Sequence, residues 1–168
     1  MIIIGYQGIG KSTLAGKYKC IDLESGNFWV DGKRDENWYI PYCQIANHLS
    51  QQGFTVFVSS HEVVRKELEK SEEKIYVICP SLDLKTDWIH KLRERWEESG
   101  LVKDYKAYMN AVDRYTENCT EIMESGFDFV VIDNMDYSLK EIVFNLRDVY
   151  SDDYYWSQSG AHLMKVGE

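Results

Sequence analysis

Five short apolar runs punctuate the chain: Ile2–Ile4, Lys19–Leu23, Phe54–Ser59, Ile75–Cys79 and Phe127–Asp133. Their hydrophobic positions are nearly continuous rather than alternating, the pattern of strands buried on both faces of a parallel sheet. Segments with helical spacing separate them: Lys11–Tyr18, Tyr39–Gln52, Glu62–Lys70, Leu84–Ser99, Lys103–Ser125 and Ser138–Tyr150. In the second of these, Tyr42, Ile45, Ala46 and Leu49 share a face, and Gly53 supplies a C-terminal stop. Ser138 and Glu141 have the spacing of a capping box at the start of the last. This strand–helix alternation predicts a three-layer α/β fold with right-handed crossovers, as one domain over residues 1–168. The polar tail 151–168, with scattered aromatics, fits no element of the pattern.

Composition narrows the partners. The formal charge is −9, from 28 acidic and 19 basic residues, which argues against holding nucleic acid by broad electrostatics. No apolar run approaches the roughly 20 residues needed to cross a bilayer, so no membrane span is expected. There is no basic stretch followed by an apolar one at the amino end, so no signal peptide is expected. Cys20, Cys43, Cys79 and Cys119 form no C-x-x-C pair and no zinc spacing with histidine. Reduced thiols and a cytoplasmic location are expected, with Cys20 and Cys79 as small core residues inside strand runs.

The chemistry concentrates at Gly5-Tyr6-Gln7-Gly8-Ile9-Gly10-Lys11-Ser12, a complete G-x-x-x-x-G-K-[ST] turn between the first strand and the first helix. Glycines there let successive backbone N–H groups point inward at a phosphate, with a helix N-terminus behind them. The binding set is Gly5, Gly8, Ile9, Gly10, Lys11, Ser12 and Thr13. Lys11 would reach the β- and γ-phosphates, Ser12 would ligate Mg²⁺, and Thr13 would support the α-phosphate. A bare strand-to-helix turn is the plainer alternative.

Other candidates surround this turn. Asp22 and Glu24 leave the second strand on the same side of an extended chain, where they could orient an acceptor or hold Mg²⁺. A solvated strand end is the alternative. Lys91 and Arg95 lie four apart, beside the stripe Trp88, Leu92 and Trp96. They could clamp transferring phosphates or simply decorate a surface helix. Arg65, after the third strand, could bind an acceptor phosphate or stand exposed. Phe28, Trp29, Trp38, Tyr39 and Tyr42, with Lys33 and Arg34 among them, could stack on a base or form a small helical cap. His61 reads as a hydrogen-bonded strand-end histidine, with a catalytic role as the alternative. For the metal carboxylate, Asp22 stands first and Asp133, at the end of the apolar run Phe129–Ile132, second.

With these motifs in this order, residues 1–150 resemble the nucleoside monophosphate kinase-like P-loop kinases, the group containing adenylate, shikimate and gluconate kinases. The resemblance implies a P-loop NTPase fold, with a parallel five-stranded sheet in the order 2-3-1-4-5 and helices on both faces. It implies an acceptor-binding region over 24–53 and a mobile lid over 81–102. Lys91 and Arg95 match the paired lid basics. Asp22-x-Glu24 looks like the acidic pair of shikimate-type kinases, and Arg65 resembles the acceptor-binding arginine of adenylate-type kinases. Asp133-Asn134-Met135-Asp136 and Ser138 look like the loop near the donor adenine. Lys11, Asp22, Lys91 and Arg95 are thus the expected catalytic set, Asp22, Glu24 and Arg65 the acceptor set, and Ser12 and Asp22 the metal set. ATP and Mg²⁺ are the implied cofactors, and the implied activity is phosphoryl transfer to a small acceptor, foremost a nucleoside or deoxynucleoside monophosphate. A small-metabolite hydroxyl kinase and a nucleotide-binding regulatory module with little catalysis are the alternatives. The chain departs from the family in lacking an acid after the third strand, where Ser59-Ser60-His61 stands.

Overall fold

The apolar runs become strands of a single sheet. A computed structural model of the chain describes residues 1–147, 156 and 159–166. Within these residues β1 spans Ile2–Gly5, β2 Cys20–Asp22, β3 Trp29–Val30, β4 Lys33–Arg34, β5 Thr55–Val58, β6 Ile75–Pro80, β7 Asp128–Ile132 and β8 Ala161–Met164. The helices are α1 Lys11–Leu14, α2 Tyr39–Gln51, α3 Glu62–Leu68, α4 Lys85–Ser99, α5 Val102–Met123 and α6 Leu139–Leu146. The main sheet has six strands in the order β2-β5-β1-β6-β7-β8. All its pairings are parallel except the last, in which β8 runs antiparallel to β7 with Val130 opposite Leu163. This corrects the expected five-stranded, all-parallel sheet: part of the unplaced tail forms a sixth strand on its edge.

Continuous apolarity in the strands has the expected cause. Ile2, Ile3 and Ile4 are all 0% exposed, and so are Val56, Phe57 and Val58. Successive strand residues point to opposite faces, so burial of all three requires both faces to be covered. Helices supply that cover. Cys20, Cys43, Cys79 and Cys119 are free and buried.

Several boundaries differ from the sequence expectation for local reasons. The first helix ends after one turn, at Leu14 rather than Tyr18. Gly16, Tyr18 and Lys19 take positive φ values of 76°, 51° and 55°, which a right-handed helix excludes. The aromatic region after β2 is no helical cap. It is a 3₁₀ turn, Ser25–Phe28, followed by the β3–β4 hairpin, whose two-residue turn Asp31-Gly32 has φ of 48° and 74°. Two successive positive φ values define the type I′ turn that suits the twist of a hairpin. Ser138 caps α6 by accepting from the Glu141 amide at 3.3 Å, as its spacing predicts. The expected continuation of that helix to Tyr150 lies outside the described residues.

Because the five parallel strands share a direction, β1, β2, β5, β6 and β7 all end at one edge. The glycine turn, Asp22 and Glu24, Ser59–His61, the start of α4 and the 133–138 loop therefore gather there. That edge is where open α/β sheets place their ligands.

Candidate functional site

The glycine turn leaves β1 and curls through Gly8 and Gly10, with φ of 84° and 100°. The amides of Gly8, Gly10, Lys11 and Ser12 meet no hydrogen-bond acceptor among the described residues. Ile9 differs from its neighbours: at 1% exposure its side chain is a core anchor that fixes the loop from beneath. Lys11 folds back and donates from Nζ to the Gly5 carbonyl at 2.9 Å. Burial pushes its ammonium below the ordinary lysine range, while Asp22 and Glu24 draw it back up.

The expected lid segment is rooted in the core. Trp88 and Leu92 of α4 are 0% and 1% exposed. The Trp88 indole N–H donates to the Gln7 carbonyl at 3.0 Å, and its ring meets that of Tyr6 edge-on. A Cβ on Gly8 would lie 2.8 Å from Leu92 Cδ2, so α4 packs directly on the turn. Trp96, further along the helix, stacks on Tyr108 of α5 at 5.7 Å between centroids.

Docking α4 there closes a cavity of about 440 Å³. The glycine turn supplies one wall through Gly8, Gly10, Lys11, Ser12 and Thr13, and β2 supplies Asp22 and Glu24. The helices add Lys91, Arg95 and Lys103. Four cations thus face two carboxylates inside a chain whose net charge is −9. Burial raises the Asp22 carboxyl, and Lys11 opposes that shift. Lys91 is held between rings, with Nζ 4.3 Å from the Trp88 centroid and 4.7 Å from that of Tyr137. It donates to the Tyr137 hydroxyl at 2.7 Å. Burial, with Arg95 nearby, lowers its pKa to about 8. Arg95 is ion-paired with buried Asp104, which also accepts from Ser99 Oγ at 2.6 Å. Burial alone would raise the Asp104 carboxyl, but Ser99 and Arg95 hold it below the usual range.

Arg65 does not join this group. It lines a neighbouring cavity of about 410 Å³ between α3 and α5, which shares Gln7 with the first. Arg65 is 8% exposed and donates to the Ser60 carbonyl at 2.6 Å. Beside it, His61 bonds Ser59 Oγ through Nδ1 at 2.6 Å and meets Trp38 edge-on. Burial depresses the His61 pKa, as do Arg34, Lys11 and Arg65 in that order. The Arg34 guanidinium lies 3.9 Å from the Trp38 centroid and 5.0 Å from that of Trp29. Its Nε is buried without a hydrogen-bond partner. Asp133, the second metal candidate, instead bonds His162 Nδ1 at 2.7 Å.

Sequence reasoning passed over Lys103, Tyr137 and the side chain of Gln7, and gave Arg34 no role beyond its place among the aromatics. Lys103 had no signal beyond its place at the start of a helical run, and the structure brings it to the cavity with Ala107, four residues on. Arg34 had one, two residues after the Asp31-Gly32 turn and among aromatics. Gln7 and Tyr137 had none, because their roles depend on how α4 docks. No protein-family model matches the chain, and no curated protein sequence is significantly similar to it.

Proposed function

We propose that the protein is a P-loop kinase that transfers a phosphoryl group from ATP, with Mg²⁺, to a small acceptor, foremost a nucleoside or deoxynucleoside monophosphate. One observation carries this reading: a desolvated Lys11 beside unpaired turn amides, in a cavity that Lys91, Arg95 and Lys103 also face. Unpaired amides and buried ammonium groups are costly unless an anion completes them. The α1 helix is a single turn, so its dipole adds little and the turn amides with Lys11 would bear most of the phosphate charge.

Ser12 and Asp22 suit the metal. Ser12 is exposed to the cavity, and Asp22 has no ion-pair partner within 4 Å among the described residues. Mg²⁺ held by these two residues would supply charge neutralisation for the transferring phosphoryl group. Lys91 and Arg95 would press on the transferring group and exclude water from it. Arg65, beside His61 in the neighbouring cavity, would supply the acceptor phosphate with counter-charge, and Arg34 and Lys11 add positive potential at His61. That positive potential favours a phosphorylated acceptor. The desolvated Asp22 instead favours the second reading, a hydroxyl kinase in which it takes the acceptor proton.

Calorimetric titration with Mg²⁺ and a non-hydrolysable ATP analogue tests the donor site. Lys11→Met should weaken binding about 100-fold or more. Equal affinity in wild type and variant refutes the reading. A panel of acceptors with labelled ATP then separates the two readings: transfer to monophosphates alone rules out the hydroxyl kinase.

A further inference from the structure

The cavity between α3 and α5 is built differently from the phosphate cavity beside it. Tyr6, 2% exposed, lines the former, and its enclosed hydroxyl lies near Gln7 and Cys119 but reaches full hydrogen-bond geometry with neither. A hydroxyl enclosed without a full hydrogen bond is unfavourable in the free protein, and a ligand toward which the ring turned would complete it.

Its α5 wall carries Asn110 and Asn118. On a straight helix two residues eight apart are separated by about 12 Å along the axis. Here Asn118 Nδ2 donates to Asn110 Oδ1 at 2.8 Å. A kink at Arg114, with φ −136° and ψ 19°, interrupts α5 between them without proline or glycine. Gln7 Nε2 also donates to Asn110 Oδ1, at 3.3 Å, and to the Ala107 carbonyl at 2.9 Å. Both lone pairs of Asn110 Oδ1 are thereby used. The amide group of Asn110 and the carbonyl of Asn118 keep their capacity, one donating and one accepting, with no partner among the described residues.

We propose that this cavity receives the base of a nucleoside monophosphate acceptor and reads its hydrogen-bonding edge through Asn110, Asn118 and the Tyr6 hydroxyl. The proposal rests on the kinase reading and deepens it. A carboxamide sets a donor beside an acceptor, which is the arrangement on the edges of nucleobases. The charged wall residues Arg65 and Arg114 both face Glu121, at 3.9 Å and 3.6 Å. That balance suits an uncharged ring. Arg65 and His61 line this same cavity, so the acceptor's phosphate would lie beside them. Gln7 lines both cavities, so donor and acceptor would adjoin there.

Calorimetry without ATP tests this, using ribo- and deoxyribonucleoside monophosphates with ribose 5-phosphate as the abasic control. At least one monophosphate should bind about tenfold or more tightly than ribose 5-phosphate. Asn118→Leu should erase that difference. Tyr6→Phe should weaken the monophosphate about threefold to tenfold, leave ribose 5-phosphate unchanged, and keep or raise the melting temperature. A merely structural role for the hydroxyl would lower the melting temperature instead. Ribose 5-phosphate binding as tightly as every monophosphate, or wild-type monophosphate affinity in both variants, overturns the proposal. The ATP analogue measured in parallel keeps the two readings apart: its failure to bind wild type refutes the kinase, whereas normal binding in variants that lose base discrimination is the expected outcome.

Discussion

Gly8→Ala probes the seating of α4 on the glycine turn. Gly8 holds φ at 84°, a conformation that costs an alanine about 1–2 kcal/mol. The added methyl would lie 2.8 Å from Leu92 Cδ2 and 3.3 Å from Trp88 Nε1. Ordinary carbon contacts are about 3.5–4.0 Å, so Leu92 must move by roughly 0.7 Å or more. At 1% exposure it has no free space, and an off-rotamer side chain costs about 0.5–1.5 kcal/mol. The expected loss is about 2–3 kcal/mol, which lowers the melting temperature by roughly 4–12 °C for a chain of this size. Gly10→Ala is the control. Its φ of 100° carries a similar backbone cost, but its nearest neighbour, Leu139 Cδ2, is 3.8 Å away. Urea denaturation of both variants should show Gly8→Ala to be less stable by about 1 kcal/mol. Combining Gly8→Ala with Leu92→Ala should be less damaging than the sum of the two. Equal losses at both glycines, together with additivity in the double variant, would show that α4 does not bear on the turn.

Four further outcomes are expected. Lys91, at about pKa 8 in the folded chain against 10.5 unfolded, binds fewer protons when folded. Stability should therefore rise with pH from about 8 toward 10.5, and Lys91→Met should flatten that part of a denaturation series in pH. Asp104→Asn removes the partner of both Arg95 and Ser99 at a 3%-exposed position, and chemical denaturation should register a loss of about 1–3 kcal/mol. Asn145, 4% exposed, has neither amide atom hydrogen-bonded among the described residues, so Asn145→Leu should raise the melting temperature by about 2–4 °C. Arg34→Met should leave ATP-analogue affinity unchanged while weakening binding of any phosphorylated acceptor, read by competition calorimetry, because Arg34 lies on the His61 side of the edge and not in the phosphate-turn cavity.

The strands of the sheet's centre were legible because burial on both faces leaves no room for polar alternation: Ile2-Ile3-Ile4 could hardly be anything else. β8 was not, since it is an edge strand whose His162 and Met164 stay exposed. Its identity comes from pairing with β7, a contact across 30 or so residues that no local pattern encodes. The hairpin at Asp31-Gly32 was legible and was overshadowed by the aromatics around it. At the site, Lys11, Asp22, Lys91 and Arg95 could be brought together on paper because each lies near the carboxyl end of a strand or on the helix that follows one. Asn110 and Asn118 could not, because their meeting depends on a kink at Arg114 that neither proline nor glycine announces.

The seating of Trp88 also gives the chain an internal optical gauge. Its indole is hydrogen-bonded to the glycine turn, stacked on Tyr137 and faced by the Lys91 ammonium. An anion that draws Lys91 into the neighbouring cavity strips a charge from the face of that ring and changes its emission. Subtracting the Trp88→Phe signal isolates this fluorophore from the other four tryptophans. Occupancy of the turn can then be followed in unlabelled protein, on the timescale of mixing.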